Sequence, residues 1–246
     1  MLFRSGQSLG NSMNATFTGH DDADYYLALG GGLAWTPHRG SLAGWRLEAS
    51  AERQRTMTTR SGSRLADWFA GSGVLAPNPP IVEGDWMRGR LVRALGGVVQ
   101  GTLGAELLTD GSSTTGGRGW MDLRVPFSLA HRTGKLTLRG GYAAGDTLPQ
   151  LSFRLGGPWA GRGYGYGEGG ITRHLWAAQL DVGLKRSWLI SPVIFGDVAG
   201  ADFTARPLIG AGAGLSFFGG WLRLNVAKGL NPGRKVRFDL LFGAPR

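Results

Sequence analysis

The strongest constraint on the fold of this chain is a repeated alternation of apolar and polar residues. In one such segment Met121, Leu123 and Val125 alternate with Asp122 and Arg124. Successive side chains of a β-strand point to opposite faces, so this period predicts strands with one apolar and one polar face. About twelve such segments occur, each with the length of about nine to thirteen residues that a tilted strand needs to cross a bilayer. The pattern predicts an all-β fold, an antiparallel transmembrane β-barrel of about twelve strands.

The connections between the predicted strands alternate in length. Long connections are predicted at 57–84, 109–118, 146–173, 199–207 and 228–235. Short connections are predicted at 36–41, 95–97, 131–134, 186–189 and 218–220. Outer-membrane barrels have this asymmetry, with long extracellular loops, short periplasmic turns and an even strand number. We therefore expect residues 1–246 to form a single barrel domain in the bacterial outer membrane, with its first strand at 12–19, its last at 235–242 and both termini in the periplasm.

A soluble β-sandwich or soluble barrel is the main alternative fold. Its strands also alternate, but they average about five to six residues, roughly half the length predicted here. Tryptophans near strand ends favour the membrane barrel, because its two interfaces carry girdles of aromatic side chains. The tryptophans expected in these girdles are Trp35, Trp86, Trp120, Trp176, Trp188 and Trp221.

Hydropathy predicts neither a transmembrane helix nor a leader in this sequence. No window of about 18 apolar residues occurs, so membrane crossing by helices is not expected. The first residues, MLFRSGQSLGNS, lack the apolar segment of a secretory signal peptide. If the chain is a membrane barrel, its leader is expected to lie outside this sequence.

Composition argues against several other functions. The formal net charge is +10, but the basic residues are scattered singly, so we expect no nucleic-acid partner. The absence of cysteine and the lack of metal-binding spacing among the histidines predict no metal site. No cofactor is expected either, because the Gly165, Gly167, Gly170 match to a dinucleotide motif lacks the required strand and helix. No nucleophile, base and orienting group occur together, so the chain is not expected to be an enzyme.

The stretch 151–170, LSFRLGGPWAGRGYGYGEGG, interrupts the strand pattern with a dense run of glycines. Glycine costs about 1 kcal/mol per position in a helix, and it also weakens strands. Structureless loops of this length are usually functional or disordered. Because the glycines surround one arginine and several aromatic rings, we expect this loop to fold and to dock against another part of the protein.

Four short motifs in this half of the chain resemble the last third of the BamA-type superfamily. They are FRLGG at 153–157, GRGY at 161–164, LD at 180–181 and FGDVAG at 195–200. The superfamily comprises outer-membrane assembly, TamA-like and two-partner-secretion barrels, and is also called the bacterial surface antigen family. The resemblance covers about residues 134–246, and no POTRA domain, the periplasmic client-binding module of the family, is present in this sequence.

The resemblance implies a specific role for the glycine-rich loop. It implies that the loop is extracellular at its base, folds into the barrel lumen, and carries Arg162 to carboxylates of Asp181 and Asp197 on the wall. The polar parity of both aspartates in their predicted strands agrees with this pairing. The motif residues at the loop tip are Gly161, Arg162, Gly163 and Tyr164, and those at its base are Phe153, Gly156 and Gly157. The alternative is an ordinary surface loop with an unpaired arginine.

The resemblance also implies a function in the insertion, assembly or translocation of proteins at the outer membrane. The expected partners are outer-membrane lipid or lipopolysaccharide, a client outer-membrane or secreted protein, and periplasmic accessory domains or subunits. Two alternatives remain open, a passive anion-favouring pore and a barrel that only anchors a partner. The pore hypothesis depends on predicted lumenal arginines, namely Arg46, Arg88, Arg90, Arg124, Arg139, Arg223 and Arg237.

Overall fold

The computed structural model describes residues 26–57, 81–129, 132–184, 189–202 and 206–242. The predicted first strand at 12–19, most of the predicted connection at 57–84, and Trp188 lie outside these ranges. No helix in the described part of the chain is long and apolar enough to span a membrane.

The described residues form an antiparallel all-β structure, which confirms the predicted fold class at this level. The strands are β1 (Tyr26–Trp35), β2 (Trp45–Thr56), β3 (Gly84–Leu95), β4 (Gln100–Thr109), β5 (Thr115–Leu129), β6 (Arg132–Gly145), β7 (Phe153–Arg154), β8 (Ile171–Thr172), β9 (His174–Gly183), β10 (Ile190–Gly200), β11 (Leu208–Phe217), β12 (Leu222–Asn231) and β13 (Gly233–Phe242). Eleven long strands make one sheet in chain order, and β7 and β8 make a separate short hairpin. Among the described residues β1 pairs only with β2 and β13 only with β12, so the sheet is open at both edges.

The predicted asymmetry of the connections is present only in part. Nine residues (36–44) connect β1 and β2, where a short connection was expected, and only five (110–114) connect β4 and β5, where a long one was expected at 109–118. The asymmetry also fails at the last position. A long connection at 228–235 was expected, and this expectation is wrong. Strand β12 continues to Asn231 and β13 begins at Gly233, and the two strands pair up to the contact of Leu230 with Gly233. Pro232 and Gly233 therefore form a tight turn, not a long loop.

The two faces of the sheet are inverted relative to a soluble protein. One side, called the polar face below, buries charged and amide side chains, including Glu52, Gln54, Glu106, Gln179, Asp197, Asn225 and Asp239. The other side, called the apolar face, exposes large apolar side chains, including Leu29, Leu33, Leu91, Leu107, Leu180, Ile194, Leu224 and Phe238. Soluble proteins bury apolar surface and expose charge, because water solvates charge far better than a protein interior does. The described sheet therefore has a charged, buried face and an apolar, exposed face, as strand parity predicts.

The sheet curves towards its polar face. Arg223 on β12 donates a hydrogen bond of 2.7 Å to Asp181 on β9, although two strands separate them. Neighbouring strands lie about 4.8 Å apart, so in a flat sheet these positions would be about 14 Å apart. Side chains from strands this distant meet because the polar face is concave.

The tryptophan prediction is wrong at two described positions. Trp86 is buried and Trp120 lies on the polar face, where the guanidinium of Arg90 stacks 5.2 Å from its ring centre. Both residues occupy even-numbered positions that share a face with Arg88 and Asp122, so strand parity, rather than nearness to a strand end, decides where the ring points. Trp35, on the apolar face of β1, and Trp221, in the turn before β12, are each about half exposed.

Candidate functional site

The glycine-rich loop leaves and rejoins the sheet through a narrow hairpin. Strands β7 and β8 pair through Phe153 with Thr172 and Arg154 with Ile171. The hairpin continues as the N–H of Leu155 donates to the carbonyl of Gly170 at 3.1 Å. The intervening residues are called the tip loop below (residues 156–169). The two ends of the tip loop are therefore held side by side at its base.

Arg162, at the end of the tip loop, is held by two aspartates of the polar face. Its Nε and Nη2 donate to the two carboxylate oxygens of Asp197 at 2.8 and 2.5 Å, and its main-chain N–H donates to the same carboxylate at 2.8 Å. Its Nη1 donates to Asp181 at 2.7 Å. The side chains of Arg162 and Asp197 are 5% and 0% exposed. Bidentate pairing of this kind uses the planar fork of a guanidinium, which lysine cannot reproduce.

The guanidinium also rests on an aromatic ring. Its central carbon lies 3.9 Å from the centre of the Phe195 ring, and that of Arg223 lies 5.4 Å from the same ring. Arg223 shares the Asp181 oxygen that Arg162 contacts. Gln179 donates a further hydrogen bond to Asp197 at 3.1 Å. Phe195 therefore supports the arginine from below while the carboxylates fix its orientation, and cation–π attraction adds to the ion pairs.

Strand β11 makes room for the tip loop by lacking side chains on the polar face. A Cβ on Gly210 would lie 2.1 Å from the carbonyl oxygen of Arg162, and one on Gly212 would lie 2.5 Å from the Phe195 ring. Gly163 in the loop has a φ of +93°, and its Cβ would meet the backbone of Lys228 at 2.5 Å. Loop backbone and sheet backbone are thus in direct contact, which only glycine permits.

Tyr164 joins the tip loop to the ends of β11 and β12. Its ring is 1% exposed and lies against Gly229, where a Cβ would approach it to 2.6 Å. Its hydroxyl accepts the N–H of Asn231 at 3.0 Å and lies 2.8 Å from the carbonyl oxygen of Ile209. The strand register shifts next to both contacts, at Ile209/Gly210 and at Lys228/Leu230. Irregular strands leave backbone groups unpaired, and the tyrosine hydroxyl satisfies them.

The remaining predicted residues shape the loop base. Phe153 packs its ring over Gly141 of β6, where a Cβ would lie 2.3 Å away. Gly156 has a φ of +100° and donates to the carbonyl of Ala160 at 3.0 Å, while Gly157 donates to that of Tyr164 at 3.0 Å. Gly161 has a φ of +127°. The structure thus places all the sequence-predicted motif residues in one folded unit against β6 and β9–β12.

Sequence reasoning missed a second anchor of the tip loop. Arg139 on β6 donates to the carbonyl oxygen of Trp159 at 2.7 Å, and its guanidinium stacks 5.2 Å from the Trp159 ring centre. It also pairs with Asp122 at 2.8 Å and with Gln179. Gln179 in turn donates to the carbonyl of Pro158 at 3.1 Å. The signal available in the sequence was the polar parity of Arg139, which was interpreted only as a lumen lining.

A third contact ties the loop to the last strand. Glu168 forms an ion pair of 2.5 Å with Arg234 of β13 and accepts the N–H of Gly165 at 2.6 Å. Together the contacts of the tip loop and its base reach from β6 to β13. The loop therefore braces the C-terminal half of the sheet across its concave face.

The other half of the polar face contains a separate ion network. Arg88 bridges Glu52 and Glu106 at 2.8 and 3.0 Å and donates to the hydroxyl of Tyr26. Arg118 pairs with Glu106 at 2.9 Å. These strand residues come from β1 to β5. Their mutual pairing removes most of the bare charge from this half of the face.

The segment that leads into the glycine-rich loop is fixed over this network. Leu148 and Leu151 form a buried apolar cluster with Trp86 and Leu108. Gln150 exchanges hydrogen bonds of 3.2 Å with the backbone of Val82. The long connection after β6 is thus attached to both halves of the sheet.

The seven arginines on which the pore hypothesis depends all contact carboxylates. Their acidic partners are Glu48 for Arg46 and Arg90, Glu52 and Glu106 for Arg88, Asp122 for Arg124 and Arg139, Asp181 for Arg223, and Asp239 for Arg237. A paired guanidinium attracts a free anion much less than an isolated one does. Within the part of the chain that the structure describes, these seven arginines therefore do not form the row of unpaired cations that the anion-favouring pore requires.

Within the described ranges, no three or more histidine, cysteine or acidic residues are arranged to hold a metal ion. No protein-family model matches the sequence, and a search of curated proteins found no match. The family resemblance therefore stays a prediction, and the geometry of the site is the basis for the proposals that follow.

Proposed function

We propose that this chain is an outer-membrane β-barrel of the BamA-like superfamily that acts in the insertion, assembly or translocation of proteins at the bacterial outer membrane. The observation that carries the proposal is the tip loop folded against the polar face, with Arg162 gripped by Asp181 and Asp197. The family resemblance implies this arrangement at these residues, and the proposal joins it to the inverted faces of the sheet.

The apolar face supports a membrane location. On β2 and β3 this face carries charge at two levels, at Arg55 with the Arg53–Asp85 pair and, at the other end, at Arg93. Asp85 and Arg93 are eight residues apart on one strand, which corresponds to about 26 Å along the strand. The positions between the two levels are uncharged, namely Leu47, Ala49, Ala51, Met87, Gly89 and Leu91. Because strands of outer-membrane barrels tilt by about 35–45°, this length spans about 20 Å of membrane depth, somewhat less than the apolar band of about 25 Å that such barrels carry.

In the proposed mechanism the two edges of the sheet lie near each other as a weak seam. Closure of the sheet into a barrel, with the predicted strand at 12–19 contributing at the N-terminal edge, belongs to this proposal. Opening of the seam would offer unpaired N–H and C=O groups as a template for a client strand. The tip loop reaches β13 through Glu168 and Arg234, so it holds the C-terminal edge in position while the client pairs.

Arg162 is the residue whose loss should damage this mechanism most. Removal of its side chain leaves Asp197, with a fully buried side chain, without its cation. Breaking a buried ion pair costs about 3–5 kcal/mol. The tip loop would then lose its principal attachment, and the edge strand its support.

A reconstitution assay tests the proposed function. The chain is inserted into liposomes of bacterial polar lipids, and an outer-membrane β-barrel client is added from urea. Folded client is then measured by its heat-modifiable migration in gels. We expect a higher yield than with protein-free liposomes, a reduced yield with Arg162→Ala, and an unchanged yield with Arg55→Ala, a control in an exposed arginine of β2. A yield equal to that of protein-free liposomes, although the chain itself is inserted and protected from protease, would contradict the proposal.

A further inference from the structure

We propose that Arg93 and Trp45 bind the headgroup phosphate of an anionic glycerophospholipid. The site lies at the end of the apolar face where β2 begins and β3 ends. This proposal rests on the membrane location proposed above. It adds a lipid site on the surface opposite to the tip loop and independent of it.

Arg93 stands apart from the other arginines of the sheet. It lies on the apolar face of β3, opposite Trp45 of β2 in the strand register. Its Nη1 donates to the carbonyl oxygen of Ala43 at 3.0 Å, and its guanidinium stacks 5.2 Å from the Trp45 ring centre. Among the described residues no carboxylate pairs with it. The guanidinium is thus oriented by a carbonyl and a ring, while its full positive charge stays available to an anion.

The turn that supplies the carbonyl is itself fixed. The N–H of Ala94 donates to the carbonyl of Gly44 at 2.7 Å, and the N–H of Trp45 donates to that of Leu42 at 3.1 Å. Gly44, which has a φ of +85°, ends the turn immediately before β2. The carbonyl of Ala43 is therefore held in place, and it fixes the guanidinium of Arg93 before any ligand arrives. A preorganised guanidinium binds an anion at a lower entropic cost.

The surroundings of Arg93 fit a lipid better than a free anion. One step towards the middle of the apolar face lie Leu47 and Leu91, which are 48% and 39% exposed and opposite each other in the register. Leu103, opposite Arg93 on β4, is also exposed. Acyl chains would cover these leucines while the phosphate meets the guanidinium. Arginine matches phosphate geometry well, and tryptophan favours the interface between headgroups and acyl chains.

The opposite end of the apolar face provides the comparison. There Arg53 pairs with Asp85 through hydrogen bonds of 2.6 and 2.7 Å, so its charge is already neutralised. A single basic residue near an anionic lipid surface strengthens binding by about fivefold. The unpaired Arg93 should supply this gain, and the Arg53–Asp85 pair should not.

Native mass spectrometry of the full chain in detergent, titrated with phosphatidylglycerol, tests the site. We expect Arg93→Gln to weaken phosphatidylglycerol binding about fivefold and Arg93→Lys to weaken it less. The double variant Arg53→Gln with Asp85→Asn, which removes the neutralised pair at the opposite end, should leave it unchanged. Phosphatidylcholine should bind more weakly than phosphatidylglycerol to the wild type and equally to wild type and Arg93→Gln.

Equal binding of the two lipids by the wild type, or equal losses in Arg93→Gln and in the double variant Arg53→Gln with Asp85→Asn, would overturn the site. Tighter binding of lipopolysaccharide than of phosphatidylglycerol, abolished by Arg93→Gln, would overturn the choice of lipid. The membrane location is tested separately by flotation of wild-type protein with vesicles. A chain that floats but shows no Arg93 dependence contradicts only the lipid site, whereas a chain that does not float contradicts the proposed function.

Discussion

Gly210 of β11 lies directly beneath Arg162, so that a Cβ on the glycine would stand 2.1 Å from the carbonyl oxygen of the arginine. Non-bonded atoms cannot approach so closely, and neither can rotate away, because the position of the Cβ is set by the backbone and the oxygen belongs to the backbone. The docked position of the tip loop therefore depends on the absence of a side chain at this position of the sheet as much as on the ion pairs of the guanidinium.

Gly210→Ala should displace the tip loop from the sheet. We expect a loss of about 1–3 kcal/mol in the free energy of unfolding, as for other overpacked sites. The measurement is urea titration of the chain in lipid bilayers, followed by tryptophan fluorescence. Gly89→Ala is the control, because a Cβ there has no neighbour within 4 Å. Equal stability of the two variants would show that the loop does not rest on β11.

Tyr164→Phe should destabilise the protein by about 1–3 kcal/mol, because it leaves the N–H of Asn231 without its acceptor. The same unfolding titration measures the effect. Tyr142→Phe serves as the control, since that side chain is 57% exposed. If the Tyr164 variant were as stable as the Tyr142 variant, the hydroxyl would have no part in holding the shifted register of β11 and β12.

Arg139→Gln should loosen one end of the tip loop while Arg162 keeps the other in place. The variant loses the cation over the Trp159 ring and the hydrogen bond to the Trp159 carbonyl. We expect faster cleavage of the loop by chymotrypsin after Trp159 in membrane-inserted protein. Arg46→Gln, which removes an arginine far from the loop on β2, should leave the cleavage rate unchanged. A rate in Arg139→Gln equal to that of the wild type would exclude the second anchor.

Asp110, in the loop between β4 and β5, should titrate at unusually low pH. Hydrogen bonds from the main-chain N–H groups of Ser112 and Thr114 lower its pKa from 3.8 to about 2. Since the folded-state pKa is depressed, the stabilisation by the carboxylate is complete above pH 3.8 and is lost as pH falls towards 2. NMR titration of the labelled carboxyl carbon checks this value, and a midpoint near 3.8 would show that the loop hydrogen bonds are absent in solution.

The sequence predicted the strands well because strand parity is a local property. Alternation located the long strands, and the parity of Asp181 and Asp197 placed both carboxylates on the face where the structure has them. The contact of these aspartates with Arg162, implied by the family resemblance, is present in the structure.

Other features could not be predicted because they depend on contacts between distant parts of the chain. The pairing of the polar-face arginines requires knowledge of which strands are neighbours and how strongly the sheet curves, as the contact of Arg223 with Asp181 illustrates. The orientation of Trp86 and Trp120 was predicted wrongly, because nearness to a strand end was given more weight than strand parity. The role of Arg139 depends on where the tip loop lies, which no local pattern encodes.

The most direct test of the account is a double-mutant cycle between the arginine and the buried aspartate. The free energies of unfolding of wild type, Arg162→Gln, Asp197→Asn and the double variant are measured in lipid bilayers. Partners in one buried network couple by about 0.5–3 kcal/mol, so the double variant should lose less stability than the sum of the two single variants by an amount in this range. Strict additivity of the two losses would mean that the tip loop is not held at this carboxylate, and the central claim would be wrong.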